Sequence, residues 1–173
     1  NTAILKPSEH APATAQLISS LIGEVFPPEI VQVVQGDGST AQALLAERFD
    51  HIFFTGGERI GKLVMAAAAQ HLTPVTLELG GKSPAVVLGD ADLEVTSRRL
   101  VWGKCLNAGQ TCIAPDYLLV ERSARTSLLQ SLGERLTACF GEEPLDSSDL
   151  ASIVNETQYE RLSALLEIGR AHV

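Results

Sequence analysis

His51-Ile52-Phe53-Phe54-Thr55-Gly56-Gly57-Glu58-Arg59-Ile60-Gly61-Lys62 sets an apolar run, a glycine pair and the opening of a helical period in direct succession. That order reads as a strand over His51–Thr55, a tight turn at Gly56-Gly57, and a helix from about Glu58 to His71. Free amides at the start of such a helix attract an anion, and glycines let phosphate oxygens come close to the backbone. Gly56, Gly61 and Lys62 nearly match a P-loop, but Leu63 stands where that pattern needs a Ser or Thr to hold magnesium. An ordinary strand-to-helix turn accounts for the segment equally well.

The same alternation extends to both sides. Upstream, Thr2–Lys6 reads as a strand and Ala11–Phe26 as a helix that Pro27-Pro28 breaks. Ile30–Val34 is the next strand, and Ser39 or Thr40 can cap a helix running to about Arg48. Gly36 and Gly38 follow that strand, yet no third glycine completes a dinucleotide fingerprint. Downstream, Pro74 opens a strand over Val75–Leu79 that ends at Gly80-Gly81, where two glycines let the chain change direction. The pattern predicts an α/β fold with a βαβαβαβ half sheet up to this point. Beyond it come a strand at Ala85–Leu88, a helix from Leu93 to about Leu106 capped within Asp90-Ala91-Asp92, and a loop carrying Cys112. A strand at Asp116–Glu121 follows, then an amphipathic helix over Ala124–Phe140 with Leu128, Leu129, Leu132 and Leu136 on one face. Gly141–Asp149 is an acidic surface loop, and Leu162–Leu166 looks like an unfinished helix. Residues 167–173 read as a non-native tail of the kind that translated adapter sequence produces.

Composition narrows the partners. The 173 residues are 45% apolar and 20% charged with a formal charge of −8, which argues against a surface that tracks nucleic-acid phosphates. Cys105, Cys112 and Cys139 form neither an even set nor a Cys-x-x-Cys pair, which fits a reducing, cytoplasmic setting. No apolar run reaches the length of about eighteen residues that a membrane span needs, and Asn1–Lys6 lacks the order of a signal peptide. His10, His51, His71 and His172 show no metal-ligand spacing.

Two residues stand out as candidates for chemistry. Cys112 lies in a loop of small and polar residues, Asn107-Ala108-Gly109-Gln110-Thr111-Cys112-Ile113-Ala114-Pro115, which can present backbone N–H groups to an oxyanion. A cysteine met without context is more often an inert core residue. Cys105, beside Leu106 on a helix, and Cys139, beside Phe140, fit that description. Glu78 sits between Leu77 and Leu79 at the end of an apolar strand. It either faces solvent or points into the crevice at the carboxyl ends of parallel strands, where such folds bind ligands. Lys6 and Glu9 follow the first strand in the same way.

Taken together these stretches resemble the aldehyde dehydrogenases, and the class 3 branch in particular. The likeness rests on Leu5-Lys6-Pro7-Ser8-Glu9, Arg48-Phe49-Asp50-His51-Ile52 and Phe54-Thr55-Gly56. It continues through His71-Leu72-Thr73-Pro74-Val75-Thr76-Leu77-Glu78-Leu79-Gly80-Gly81-Lys82-Ser83-Pro84 and Gly109-Gln110-Thr111-Cys112-Ile113-Ala114-Pro115-Asp116-Tyr117. The resemblance implies oxidation of an aldehyde to a carboxylic acid, with hydride passing to a nicotinamide dinucleotide. Cys112 would be the nucleophile, passing through a thiohemiacetal and a thioester, and Glu78 the base that activates water. Partial desolvation between leucines would suit Glu78 to that task.

By the same carry-over, Lys6 and Glu9 would bind the adenosine ribose, and Gly56, Gly57 and Gly61 would form the pyrophosphate turn of a Rossmann-like domain. Gly57 stands where many relatives have Ser. Glu9 favours NAD, and class 3 relatives often accept NADP too. Residues 1–79 would then be a partial NAD(P)-binding domain and 80–166 part of the catalytic thiol domain. The resemblance places an oxyanion-hole Asn before Asn1, and a nicotinamide-gripping Glu-x-Phe-Gly-Pro segment and the dimer contacts after Val173. It also implies that the parent is a homodimer acting on a small-molecule aldehyde, and that these residues alone are poorly stable and inactive. Two other readings fit less well: an acylating relative that uses coenzyme A, which would tend to lack Glu78, and a non-catalytic nucleotide-binding module.

Overall fold

The computed structural model describes residues 1–171. The chain forms two compact units, Asn1–Glu78 and Leu79–Val173.

The first unit runs β1 (Ala3–Leu5), α1 (Pro12–Val25), β2 (Val31–Val33), α2 (Gly38–Leu45), β3 (Ile52–Thr55), α3 (Glu58–Ala69) and β4 (Val75–Glu78). The expected Rossmann-like parallel arrangement is present as two ladders. In one, Ala3 pairs with Val31 and Leu5 with Val33; in the other, Ile52 pairs with Val75 and Thr55 with Glu78. Periodicity identifies the strand residues, but it carries no information on which strands share hydrogen bonds. Pro12 starts α1 where its missing N–H is harmless. The cap of α2 is Asp37, whose carboxylate accepts from the Ser39 and Thr40 amides at 2.8 and 3.4 Å, so Ser39 and Thr40 are capped residues and not the cap. The hydrogen bond from the Ser39 hydroxyl, with those two amide bonds, holds the Asp37 carboxyl below its ordinary value.

Helix α3 buries Gly61, Val64 and Ala68, a stripe at spacings of three and four. The turn after it is pinned by side chains. Buried Thr73 donates from Oγ1 to the Phe49 carbonyl at 2.9 Å, and His71 Nε2 lies 3.0 Å from the Ala46 carbonyl. Leu72 between them takes φ 54°, a left-handed conformation that such a side chain rarely adopts.

The second unit comprises β5 (Ser83–Val87), α4 (Leu93–Cys105), a 3-10 turn (Leu106–Gly109), β6 (Pro115–Val120), α5 (Arg125–Phe140), a second 3-10 turn (Pro144–Asp146) and α6 (Glu156–Ala171). β5 and β6 are parallel, with Pro84 opposite Tyr117 and Val87 opposite Val120. Asp92 caps α4 by accepting from the Val95 amide at 3.0 Å. Val87, Val101, Ala124 and Leu128 are buried, and α4 is joined to α5 by a hydrogen bond from Ser131 Oγ to buried Ser97 Oγ at 2.9 Å. The expected four-leucine face of α5 is narrower than its sequence suggests. Leu128 is 1% exposed, but Leu129 is 57% exposed and Leu136 38%. Adjacent helix residues point about 100° apart, so Leu129 leaves the stripe that Leu128 occupies.

Cys139 is exposed, contrary to the packed position expected for it beside Phe140, and Cys105 is half-buried. Helix α6 starts before the expected Leu162, with Asn155 Oδ1 accepting from the Gln158 amide, and continues through Ala171. His172 and Val173, the last residues of the expected tail, lie outside the described residues. Among the described residues no helix is long and apolar enough to cross a membrane.

Candidate active site

At the carboxyl end of β3 the chain enters Gly56-Gly57 and then α3. The Gly56 amide donates to the Glu78 carbonyl at 3.0 Å, which sets the glycine turn and Glu78 side by side at the ends of neighbouring parallel strands. A Cβ on Gly56 would lie 2.5 Å from Cζ of Phe54, so a side chain there would require the Phe54 ring to move. Gly57 is different. It takes extended backbone at the start of α3, and a Cβ on it would meet nothing within 4 Å. The helix N-terminus therefore has an open approach and no side chain capping its amides, a combination that suits an anion.

Gly61 is buried one turn on, with its N–H bonded to the Gly57 carbonyl at 3.0 Å, so it serves the packing of α3 and presents no free amide. Glu58 and Lys62 pair across the exposed side of the same turn at 2.6 Å, which lowers the Glu58 pKa and raises that of Lys62.

After β1, Lys6 Nζ and Glu9 Oε2 lie 2.9 Å apart. The hydrogen bond from Lys6 holds the Glu9 carboxyl below its ordinary value. Glu9 thus stays ionised, and its charge is partly offset by the adjacent cation. Glu78 is exposed while Leu77 and Leu79 are half-buried, so the desolvation expected from its leucine neighbours is not found.

Cys112 lies in the second unit, at the tip of a turn that closes when the Ala114 amide donates to the Thr111 carbonyl at 3.3 Å. Its side chain is exposed, and among the described residues its N–H has no acceptor. Ala114 behind the turn is buried and anchors the start of β6. A Cβ placed on Gly81 would overlap the Cys112 carbonyl oxygen, so the backbone before β5 lies directly against the thiol turn.

Immediately before that turn the backbone is unusual. Asn107, Ala108 and Gly109 take φ of 52°, 55° and 75° in succession, a left-handed run of three residues. For Ala108 this conformation costs roughly 1–2 kcal/mol relative to the right-handed one. Gln110 binds the run from one side, with Nε2 donating to the Asn107 carbonyl at 2.9 Å. The same amide reaches a distant segment, donating from Nε2 to the Ser152 carbonyl at 3.2 Å and accepting at Oε1 from the Val154 amide at 3.0 Å. Gly109 fits because a Cβ there would lie 3.0 Å from the Lys104 carbonyl at the end of α4.

The structure therefore brings Lys6 to Glu9 and Gly56 to Glu78, and sets Cys112 on an exposed turn of the other unit. Sequence reasoning gave Gly81 a role only as half of the Gly80-Gly81 turn and gave Gln110 none beyond its place in the loop. The signal available was their position in the two long motifs, since a close backbone approach has no compositional mark, and of the left-handed run only Asn107 and Gly109 are residue types that favour it.

Residues 1–173 match the sequence profile of the aldehyde dehydrogenase family. The chain is 46% identical over 167 residues to a rat (Rattus norvegicus) protein, "Aldehyde dehydrogenase, dimeric NADP-preferring", covering 96% of this chain and 37% of that one. It is 44% identical over 173 residues to 4,4'-diaponeurosporen-aldehyde dehydrogenase of Staphylococcus aureus, covering 100% of this chain and 38% of that protein. The solved substrate-bound AldH of Staphylococcus aureus superposes with a TM-score of 0.83 at 45% identity, covering 96% of this chain and 36% of that one. The chain thus spans little more than a third of the length of the curated relatives it matches.

Proposed function

This chain belongs to the aldehyde dehydrogenase family, and on that premise we propose that the enzyme containing it oxidises an aldehyde to the carboxylic acid, with Cys112 as nucleophile and Glu78 as general base. The observation that carries the reading is the thiol turn, an exposed cysteine whose own N–H is free to donate, with glycine backbone packed behind it. Lys6, Glu9, Gly56 and Gly57 fit a dinucleotide as an ion pair beside a strand end and an open, uncapped helix start, with Gly61 packing that helix. A bound nicotinamide dinucleotide supplies the hydride acceptor.

The Cys112 thiolate adds to the aldehyde carbon, and the resulting oxyanion accepts a hydrogen bond from the Cys112 N–H. Loss of hydride from this tetrahedral adduct leaves a thioester on Sγ. Glu78 takes a proton from water, the hydroxide adds to the thioester carbon, and the carbon–sulfur bond breaks to release the acid and the thiolate.

NAD is the favoured cofactor because Glu9 repels a 2′-phosphate, and Lys6 beside it moderates that repulsion enough for NADP to bind. An apolar substrate, a homodimeric parent and a reducing, cytoplasmic setting complete the reading. They are supported by the names of the relatives and by the three free cysteines.

The experiment is pre-steady-state NADH formation by Glu78→Gln in the enzyme expressed from its complete reading frame. The expected result is a burst of about one NADH per site followed by turnover slowed about a hundredfold, because the thioester forms but is not hydrolysed. A slow phase with no burst would remove Glu78 from the hydrolytic step.

A further inference from the structure

We propose that Gln110 is a positioning residue for Cys112, holding the left-handed turn Asn107–Gly109 closed and clamping it to the segment Ser152–Val154. The inference rests on the nucleophilic role given above to Cys112. Gln110 lies two residues before the thiol and is half-buried. Its amide makes three hydrogen bonds, one to the carbonyl of Asn107 within the turn and two to Ser152 and Val154, more than forty residues away in sequence.

The two long-range bonds use Oε1 as acceptor and Nε2 as donor, so the side chain pairs with that segment as a strand's backbone would. The amide supplies donor and acceptor from two adjacent atoms; an ionised carboxylate cannot donate, and a thioether has no donor and is only a weak acceptor.

The turn needs such a hold. Left-handed backbone at Asn107 and Ala108 is disfavoured, and an unrestrained chain would relax it towards right-handed or extended conformations. Relaxation three or four residues upstream would rotate the Thr111–Ala114 turn and with it both Sγ and the free N–H of Cys112. Because Nε2 serves Asn107 and Ser152 together, the clamp also couples the thiol turn to the residues that lead into α6. Gln110 acts on the reaction only through Cys112 and touches no reacting atom.

The test compares wild type with Gln110→Met and with the double variant Gln110→Met/Ala108→Gly, all within the complete reading frame. We expect Gln110→Met to lower kcat about tenfold or more while KM for NAD stays within about threefold, since misplacement of a nucleophile acts on the chemical step. Deuterium uptake of the peptide spanning 106–114, measured without cofactor or aldehyde, should quicken about tenfold while peptides of α4 and α5 keep the wild-type rate. Ala108→Gly removes the strain that the clamp opposes, so the double variant should recover about threefold in kcat over Gln110→Met.

A kcat within about twofold of wild type would overturn the proposal. So would faster exchange spread equally through α4 and α5, or a double variant no faster than the single one. If Gln110→Met does not accumulate as folded protein, Gln110→Glu keeps the acceptor for Val154 and loses both donations, and the same losses are expected. A wild-type enzyme without dehydrogenase activity would sink the functional reading instead, and the exchange measurement would still decide the role of Gln110.

Discussion

The three cysteines differ in what surrounds them, and that difference sorts their chemistry. Cys112 is exposed on its turn, whereas Cys105 is half-buried on α4. Burial, reinforced by Cys139 and opposed by Lys104, raises the Cys105 thiol above its ordinary value of 9.0. A raised thiol pKa leaves less thiolate at any given pH, so Cys105 reacts slowly at neutral pH and its rate keeps climbing as pH rises beyond 9.0. Iodoacetamide labelling resolved by site should therefore find Cys105 the slowest of the three at neutral pH. Labelling of Cys105 as fast as that of Cys112 would contradict this. The sequence singled out Cys112 because its loop is small and polar, and it read Cys105 as a core residue, which the structure finds half-buried. It misjudged Cys139, since an apolar neighbour in sequence points to a different side of a helix.

At the scale of elements, glycines do two separate jobs that look alike in sequence. Gly80-Gly81 read as a place where the chain turns, yet neither residue takes a positive φ. Gly81 is required for space, because the Cys112 carbonyl oxygen lies where its Cβ would be, while a Cβ on Gly80 meets nothing within 4 Å. In the full-length enzyme, Gly81→Ala should lower kcat about tenfold or more by displacing the thiol turn, and Gly80→Ala should stay within about threefold of wild type. Equal effects of the two substitutions would remove the contact from the account.

The strands and helices themselves were legible from periodicity and punctuation, with ends misplaced by a residue or a few, except that α6 starts six residues before the expected Leu162. The cap of α2 was missed because Asp, Ser and Thr, all good capping residues, stand close together before the helix, and only the geometry selects Asp37. Pairing of the strands left no trace in residue type, and the left-handed run before Gln110 left one only at Asn107 and Gly109.

For the whole molecule, each unit presents apolar surface that its own elements leave open. Phe53 is 66% exposed in the first unit, and Trp102 at 68% and Ile113 at 81% are exposed in the second. Two-stranded parallel ladders seldom stand alone, since parallel sheets are normally covered on both faces. The matched relatives are more than twice the length of this chain, so the proposed catalytic cycle is to be tested in the enzyme expressed from the complete reading frame. The central claim proposed for that enzyme is a covalent step on one sulfur. The most direct measurement is NADH formation with a panel of apolar aldehydes by the complete enzyme, wild type against Cys112→Ala. Wild-type activity and a loss of about ten-thousandfold or more in the variant is the result expected for a nucleophile with no substitute; dehydrogenase activity that survives Cys112→Ala would mean that the carbon–sulfur intermediate, and the mechanism built on it, is wrong.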